Sequence, residues 1–425
     1  MNIPPLGAGA CTACDNSAMP VLVSAAAQRK TEIIPPAELP AFQTELLGWF
    51  AGAKRDLDWR RTRDPYRVWI SEIMLQQTRV PAVLPYYRRF LTRFPTIDAL
   101  ARARLDTVLR SWAGLGYYSR ARNLHRAAKQ IVTRHGGEFP RCIEEALALP
   151  GVGHYTAAAV LSIAYGEPHA VVDGNVARVL ARLGAIGGDL RRPKKWRDLA
   201  RAANALLPAQ AAFAAGAPIT GAGDWNQAMM ELGATLCTPR APQCASCPVA
   251  RWCRAHALGI AWRLPTPRRK PKLIRLALSA AVLLDPRGRT LLLRQKSQHS
   301  NLFSALWHFP AIRSARTAPE KLACYLQSTF GITAQLEPLA PARHTVTFRR
   351  ILLAPFLVRL AKLPALAPPS RELPAPGTHP HALRARALQA PRSDAVRMPR
   401  LAEIERLPIS SATRKIAAAA RAVAH

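Results

Sequence analysis

The stretch Cys237-Thr-Pro-Arg-Ala-Pro-Gln-Cys244-Ala-Ser-Cys247-Pro-Val-Ala-Arg-Trp-Cys253 decides how this chain is read. Its four cysteines are spaced C-x6-C-x2-C-x5-C. Thiolates packed this closely along the chain are suited to converge on one metal centre. Zinc sites usually pair two short C-x2-C knuckles across a longer gap. Here one C-x2-C is flanked by uneven steps, a pattern that points to a 4Fe–4S loop, with a zinc site as the alternative and coincidence as the bland reading.

Three segments upstream carry groups with chemistry. The first is Asp64-Pro-Tyr-Arg-Val-Trp-Ile-Ser-Glu-Ile-Met-Leu-Gln-Gln-Thr78. Glu72 sits among Trp69, Ile70, Ile73 and Met74, and Gln76 follows one helical turn later. A carboxyl in such surroundings has a raised pKa and can act as an acid near neutrality. The alternative is a partly exposed helical glutamate with no role. In Leu149-Pro-Gly-Val-Gly-His-Tyr-Thr156, Gly151 and Gly153 permit a tight turn that aims backbone N–H groups outward at a helix N-terminus. In Val171-Val-Asp-Gly-Asn-Val-Ala-Arg178, Asp173 opens a helix, where an N-cap is the bland explanation.

These motifs together resemble the endonuclease III superfamily of DNA glycosylases, and within it the adenine glycosylases of the MutY type. The resemblance runs from about Leu39 to Ala257 and more weakly from about Leu276 to Ile416. It implies a helix-hairpin-helix at 149–156 that grips duplex backbone without reading sequence. It implies that Glu72 protonates the adenine leaving group and that Asp173 stabilises positive charge at C1′, a division of labour like that of glycoside hydrolases. Asn175 would orient the water or the carboxylate. Gln76 and Gln77 would contact bases or fill the gap left by the flipped nucleotide. Tyr117, in Gly114-Leu-Gly-Tyr-Tyr-Ser-Arg120, would wedge into the duplex, unless it simply packs in the core. Bifunctional members carry a nucleophilic lysine where this chain has Tyr155, so strand cleavage through a Schiff base is not expected. The cysteines would hold one 4Fe–4S cluster.

Composition agrees with a polyanionic partner. The 425 residues include 60 Lys and Arg against 26 Asp and Glu, a formal charge of +34. High Ala and Pro reflect a compositional bias, but bias alone does not produce that charge. No run of about 18 apolar residues offers a membrane span, and no secretory signal pattern is evident. A reducing cytoplasm, near the nucleoid, is the expected compartment. Cys11 and Cys14 read as incidental, and Cys142 and Cys324 as ordinary thiols.

Such a length implies more than one core. Residues 1–36 lack periodicity and read as a disordered tail. Residues 37–257 read as an all-α domain. Phe42, Leu46, Leu47 and Phe50 form a stripe, and further helices are expected at 68–77, 83–93, 105–115, 120–135, 155–165 and 175–183. A basic, proline-broken linker covers 258–275. Residues 276–425 read as an α+β unit with strands at 276–284, 290–294 and 346–360, a proline-rich insertion at 363–381 and a helix from about Ser411. This unit resembles a Nudix-like domain. Asp285, Glu320 and Glu337 are its only acids between Leu276 and Ala340, too few for a Nudix metal site. In the family the segment matching Arg343–Arg349 reads 8-oxoguanine through a Phe-Ser-His triplet. Here His344, Thr347 and Phe348 would carry that contact, with Phe348 in place of the His.

The sequence therefore implies a monomeric, monofunctional adenine DNA glycosylase acting on double-stranded DNA with A·8-oxoguanine or A·G mispairs. A thymine glycosylase for G·T mispairs is the nearest rival, and a non-catalytic mismatch-binding protein is the rival of another class. The appended α+β unit argues against the first, and the presence of both Glu72 and Asp173 argues against the second.

Overall fold

The computed structural model describes residues 32–209, 221–266, 273–294, 306–346, 348–364 and 396–423. The chain divides into two units, Met1–Arg102 with Asn123–Arg269, and Ala103–Arg122 with Lys270–His425. Residues 103–122 lie within the helical stretch of sequence and are grouped with the second unit.

The first unit is helical: α1 (Leu39–Ala53), α2 (Pro65–Leu75), α3 (Val80–Arg93) and α4 (Ile97–Arg102) precede the excursion into the second unit. In the second unit lies α5 (Leu105–Ser111), after which α6 (Ser119–Arg134) leads back. Then come α7 (Ile143–Leu147), α8 (His154–Tyr165), α9 (Gly174–Leu183), α10 (Pro193–Ala205), α11 (Ala222–Thr235) and the short α12 (Arg254–Ala257). Local chemistry sets the ends. Pro65 occupies the first turn of α2, and the Asp64 side chain accepts from the Tyr66 N–H at 2.8 Å. Gly166 closes α8 in the left-handed conformation. The stripe on α1 is real: Phe42, Leu46 and Phe50 are buried against Leu180 and Leu183 of α9 and Trp225 of α11. Phe42 meets Trp225 and Trp252 edge-on, with ring centroids 5.9 and 5.4 Å apart. Ile34, inside the segment read as a tail, is buried in this core. Residues 1–31, with Cys11 and Cys14, lie outside the described residues.

The second unit is built on a mixed sheet. Strand β1 (Ile274–Leu284) pairs in parallel with β6 (Arg349–Arg359) and antiparallel with β3 (Ala311–Ser314), while β4 (Glu337–Pro338) and β5 (Ala342–Val346) pair antiparallel with β6. Both long strands are near-continuous apolar runs because both sheet faces are covered. Leu278, Ala280, Val282 and Leu284 face the cluster containing Ile416, Ala417 and Ala420 of α14 (Ser411–Arg421). Ala281 and Leu283 face Leu322, Tyr325 and Leu326 of α13 (Pro319–Phe330).

The expected strand at 346–360 is β6, which starts at Arg349, and β5 before it pairs back on it antiparallel, with Val346 opposite Arg349. The expected hairpin about Asp285–Gly288 does not extend far. Beyond one Leu284–Thr290 bridge, β2 (Leu292–Leu293) pairs with β7 (Val396–Arg397). Asp285 satisfies the turn itself, accepting from the N–H groups of Arg287 and Arg289. Of the proline-rich insertion, Leu363 is buried against the sheet, and the residues from 365 onward lie outside the described ones. Among the described residues no helix is long and apolar enough to cross a membrane.

Candidate active site

Glu72 lies on α2, which is buried on nearly every side, and is itself 4% exposed. The partly exposed alternative is thereby excluded. The Tyr155 hydroxyl, from the first turn of α8, donates to Glu72 Oε2 at 2.6 Å and also approaches Met230 Sδ at 3.6 Å. Burial pushes the Glu72 carboxyl up from 4.5 to about 7; the Tyr155 hydrogen bond pulls the other way, and the negative charge of Asp173 adds to the rise. Burial next to these carboxylates drives the Tyr155 phenol well above its usual range, so it stays a neutral donor.

Asp173 caps α9. Its Oδ1 accepts from the N–H groups of Asn175 at 2.9 Å and Val176 at 2.7 Å, while Oδ2 accepts from Asn175 Nδ2 at 2.9 Å. Burial raises its pKa, and these donors oppose the rise by favouring the charged form. The bland N-cap reading is therefore correct as geometry. The same cap holds a second carboxylate close enough to Glu72 to act on its charge.

Two features were not anticipated from the sequence. Glu231 of α11 is fully buried, accepts from Arg55 Nε and Nη2 at 2.7 Å, and accepts from Arg60 Nη2 at 2.8 Å. Burial pushes it up, but the two guanidinium groups overcome this and bring it to about 2. Arg60 in turn favours the charged form of Glu72. The signal was present: Glu231 stands in the apolar run Ala228-Met-Met-Glu-Leu232, much as Glu72 stands among Ile70, Ile73 and Met74. The second feature is a pair of arginines on α9. Arg178 donates to Asn175 Oδ1 at 2.9 Å and to the carbonyls of Gly233 at 2.7 Å and Cys237 at 2.8 Å. Arg182, 1% exposed, donates to Cys237 Sγ at 3.2 Å and to the carbonyls of Thr238 and Leu264 at 2.8 Å. One helix thus carries the Asp173 cap at its start and fastens the cysteine loop along its length.

The cysteines Cys237, Cys244, Cys247 and Cys253 are free of disulfides and influence one another's charge. Among the described residues, no three or more His, Cys, Asp or Glu side chains stand as a group that could hold a metal ion. The donor chemistry nevertheless fits a thiolate-bound centre. Four thiols in one loop are the donor set such a centre takes, and the Arg182 guanidinium donates to Cys237 Sγ, while burial raises the Cys244, Cys247 and Cys253 thiols. Cys142, by contrast, donates to Glu144 Oε2 at 2.8 Å, away from this set.

Of the expected DNA contacts, Gly151 has φ +80°, and a Cβ there would come within 2.6 Å of Asn123 Cβ. Gly153 is extended, with φ −106° and ψ 176°, and a Cβ would meet nothing within 4 Å. The turn requires only the first glycine, a correction to the sequence reading. Gly151→Ala is therefore expected to cost roughly 1–3 kcal/mol in denaturant unfolding, and Gly153→Ala to stay within about 0.5 kcal/mol.

Gln76 is not on the helix with Glu72. α2 ends at Leu75, Gln76 turns away with ψ 112° and donates to Thr156 Oγ1 at 3.2 Å, and Gln77 takes φ +58°. Tyr117 is 41% exposed with φ +48°, and the Arg120 guanidinium lies 5.4 Å from its ring centroid, so the core reading fails for it. In the second unit, His344 is half-buried on β5, and Arg349 lies over the Phe348 ring at 4.9 Å. Thr347 lies outside the described residues.

A family model described as the HhH-GPD superfamily of base excision DNA repair proteins matches residues 70–204, a span that holds Glu72, Tyr155, Asp173 and Asn175. The helical unit is of that class. The adenine DNA glycosylase of Homo sapiens is 48% identical over 230 residues, covering 52% of this chain and 40% of the human one. That of Rattus norvegicus is 36% identical over 358 residues, covering 72% of this chain and 67% of the rat one. That of Buchnera aphidicola subsp. Baizongia pistaciae is 33% identical over 272 residues, covering 63% of this chain and 73% of the Buchnera one. The chain belongs to the adenine DNA glycosylase family. It spans 40% of the length of the human relative and 67% of that of the rat relative.

Proposed function

We propose that this protein hydrolyses the N-glycosidic bond of adenine mispaired with 8-oxoguanine or guanine in double-stranded DNA, after flipping the nucleotide out of the stack. The observation that carries the proposal is the buried pair Glu72 and Asp173, two carboxyls whose surroundings set them to different tasks. Glu72, held at about 7, is available as the protonated acid that delivers a proton to the leaving adenine. Asp173 accepts from two backbone N–H groups and the Asn175 amide, donors that favour its anion, which would oppose the cation growing at C1′. Tyr155 holds the Glu72 carboxyl in one orientation. The experiment is a single-turnover assay on duplexes with A or T opposite 8-oxoguanine or G, developed with mild alkali. Release of adenine from both A-containing duplexes supports the reading. Release of thymine alone would favour the thymine-glycosylase alternative.

Tyr155 makes the reaction monofunctional, because a phenol cannot form an imine with the sugar. Strands are expected to break only after alkali, and borohydride to trap no covalent adduct. Efficient trapping would mean that an amine elsewhere attacks C1′.

Cys237, Cys244, Cys247 and Cys253 would hold one 4Fe–4S cluster. When bound, it supplies a charged, structured loop rather than redox turnover. Arg240, Arg251 and Arg254, within or beside the loop, are available to phosphates. Anaerobically purified protein is expected to be yellow-brown with about four irons per chain; one zinc and no iron would contradict this. In the second unit, the β5–β6 hairpin with His344, Thr347 and Phe348 would read the base opposite adenine. Phe348 lacks the donor of a histidine, so a preference for 8-oxoguanine over guanine narrowed by an order of magnitude or more is the expected outcome of the same four-duplex assay, at roughly 1–3 kcal/mol for one lost hydrogen bond.

A further inference from the structure

Residues 103–122 interrupt the helical unit in sequence and belong to the second unit in space. One set of their contacts within that unit converges on a carboxylate. Asp106, in the first turn of α5, pairs with Arg294 Nη1 at 2.5 Å and with Arg397 Nη2 at 3.8 Å. Arg294 directly follows β2 and Arg397 ends β7, and these two strands pair with Leu292 opposite Arg397. Both guanidinium groups lie over the ring of Trp307, at 5.2 and 5.0 Å from its centroid, and Trp307 is buried. An ion pair between free surface side chains is worth little. Here the two cations are laid on an indole and share a single anion, so little side-chain entropy remains to be lost when the pair forms.

The second attachment is on the same piece of backbone. Trp307 bridges to Ile409, and the Tyr118 hydroxyl donates to the Ile409 carbonyl at 3.4 Å. Arg110 Nη1 reaches the Arg406 carbonyl at the same distance. Between these anchors runs the loop with Gly114 at φ 112°, Gly116 at φ 73° and Tyr117 at φ 48°. A tyrosine in left-handed backbone persists only where its surroundings hold it.

We infer that Asp106 is a positioning residue: through Arg294 and Arg397 it clasps the Tyr117 loop onto the second unit, so that the exposed aromatic and the β5–β6 hairpin move as one body. Its consequence for excision rests on the proposed glycosylase reading; the clasp itself does not.

The test is hydrogen–deuterium exchange on the full chain without DNA, followed by mass spectrometry. Asp106→Asn keeps the shape and removes the charge. Peptides covering 105–118 and peptides covering 289–294 are expected to exchange together, about fivefold faster, a factor that corresponds to roughly 1 kcal/mol. Wild-type protein moved from about 0.05 M to about 0.5 M salt should show the same change, since salt screens the pair. The charge swap Asp106→Arg with Arg294→Asp should return both sets to within about twofold of wild type. Unchanged exchange, or faster exchange in only one of the two sets, overturns the clasp. Single-turnover excision from an A·8-oxoguanine duplex gives the functional arm. Asp106→Asn is expected to lose about tenfold and the swap to recover most of it. Faster exchange with unaltered excision overturns the positioning role. If wild type itself releases no adenine, the glycosylase reading fails, while the exchange result still decides the clasp.

Discussion

Glu72→Gln is expected to bind mismatch DNA as the wild type does and to excise adenine about 100- to 10,000-fold more slowly, the usual cost of removing a positioned acid. The substitution keeps the size of the side chain and its ability to accept from Tyr155. What it removes is a proton held at about 7. The same burial has an effect on stability whose sign is fixed. A carboxyl raised from 4.5 to about 7 contributes stability that is fully present below about 4.5 and is lost as pH rises through about 7. The shift corresponds to roughly 3 kcal/mol, as an upper figure. Glu72→Gln carries no charge to bury, so it should unfold at higher temperature than wild type at pH 8 and lose that advantage near pH 5. Thermal unfolding at the two values checks this. An advantage that grew toward acid pH would mean that Glu72 is not held protonated by burial.

Asp173→Asn is expected to be nearly as damaging to the rate while leaving the fold in place. Asparagine is as good an N-cap as aspartate, so α9 should keep its first turn. The negative charge facing C1′ would be gone, and losing one preorganised electrostatic group of this kind typically costs about 100- to 1,000-fold. Asp173→Ala should add to that a loss of about 0.5–2 kcal/mol in unfolding free energy from the missing cap. Comparing the two variants by single-turnover excision and by denaturant unfolding separates charge from capping. If Asp173→Asn retained near-wild-type excision, the residue would be a cap and no more.

How much of this was legible in the sequence depends on what each feature requires. The helix periodicity of α1 and the continuous apolar runs of β1 and β6 are set by which faces are covered, and that pattern is written in consecutive residues. The burial of Glu72 was legible from its apolar neighbours, and the Asp173 cap from its place at a helix start; the roles given to both came from the family resemblance. Gly153 looked equivalent to Gly151 because sequence does not report φ; only the close approach of Asn123 distinguishes them. The end of α2 at Leu75 was not visible in the sequence: Gln76 leaves the helix and meets Thr156, which lies far along the chain. The Arg60–Glu231 pair and the reach of Arg178 and Arg182 to the cysteine loop depend on contacts across the fold. The same is true of residues 103–122: their helical pattern is correct, but their partners Arg294 and Arg397 lie far along the chain.

The central claim is that burial keeps Glu72 protonated so that it can act as the acid. The most direct measurement is the single-turnover rate of adenine release from an A·8-oxoguanine duplex between about pH 5.5 and 8.5. The account predicts that the wild-type rate falls as pH rises through an apparent pKa near 7, and that the residual rate of Glu72→Gln lacks this limb. A wild-type rate that stayed level or rose across that range, or a Glu72→Gln variant that kept both the rate and the limb, would contradict it.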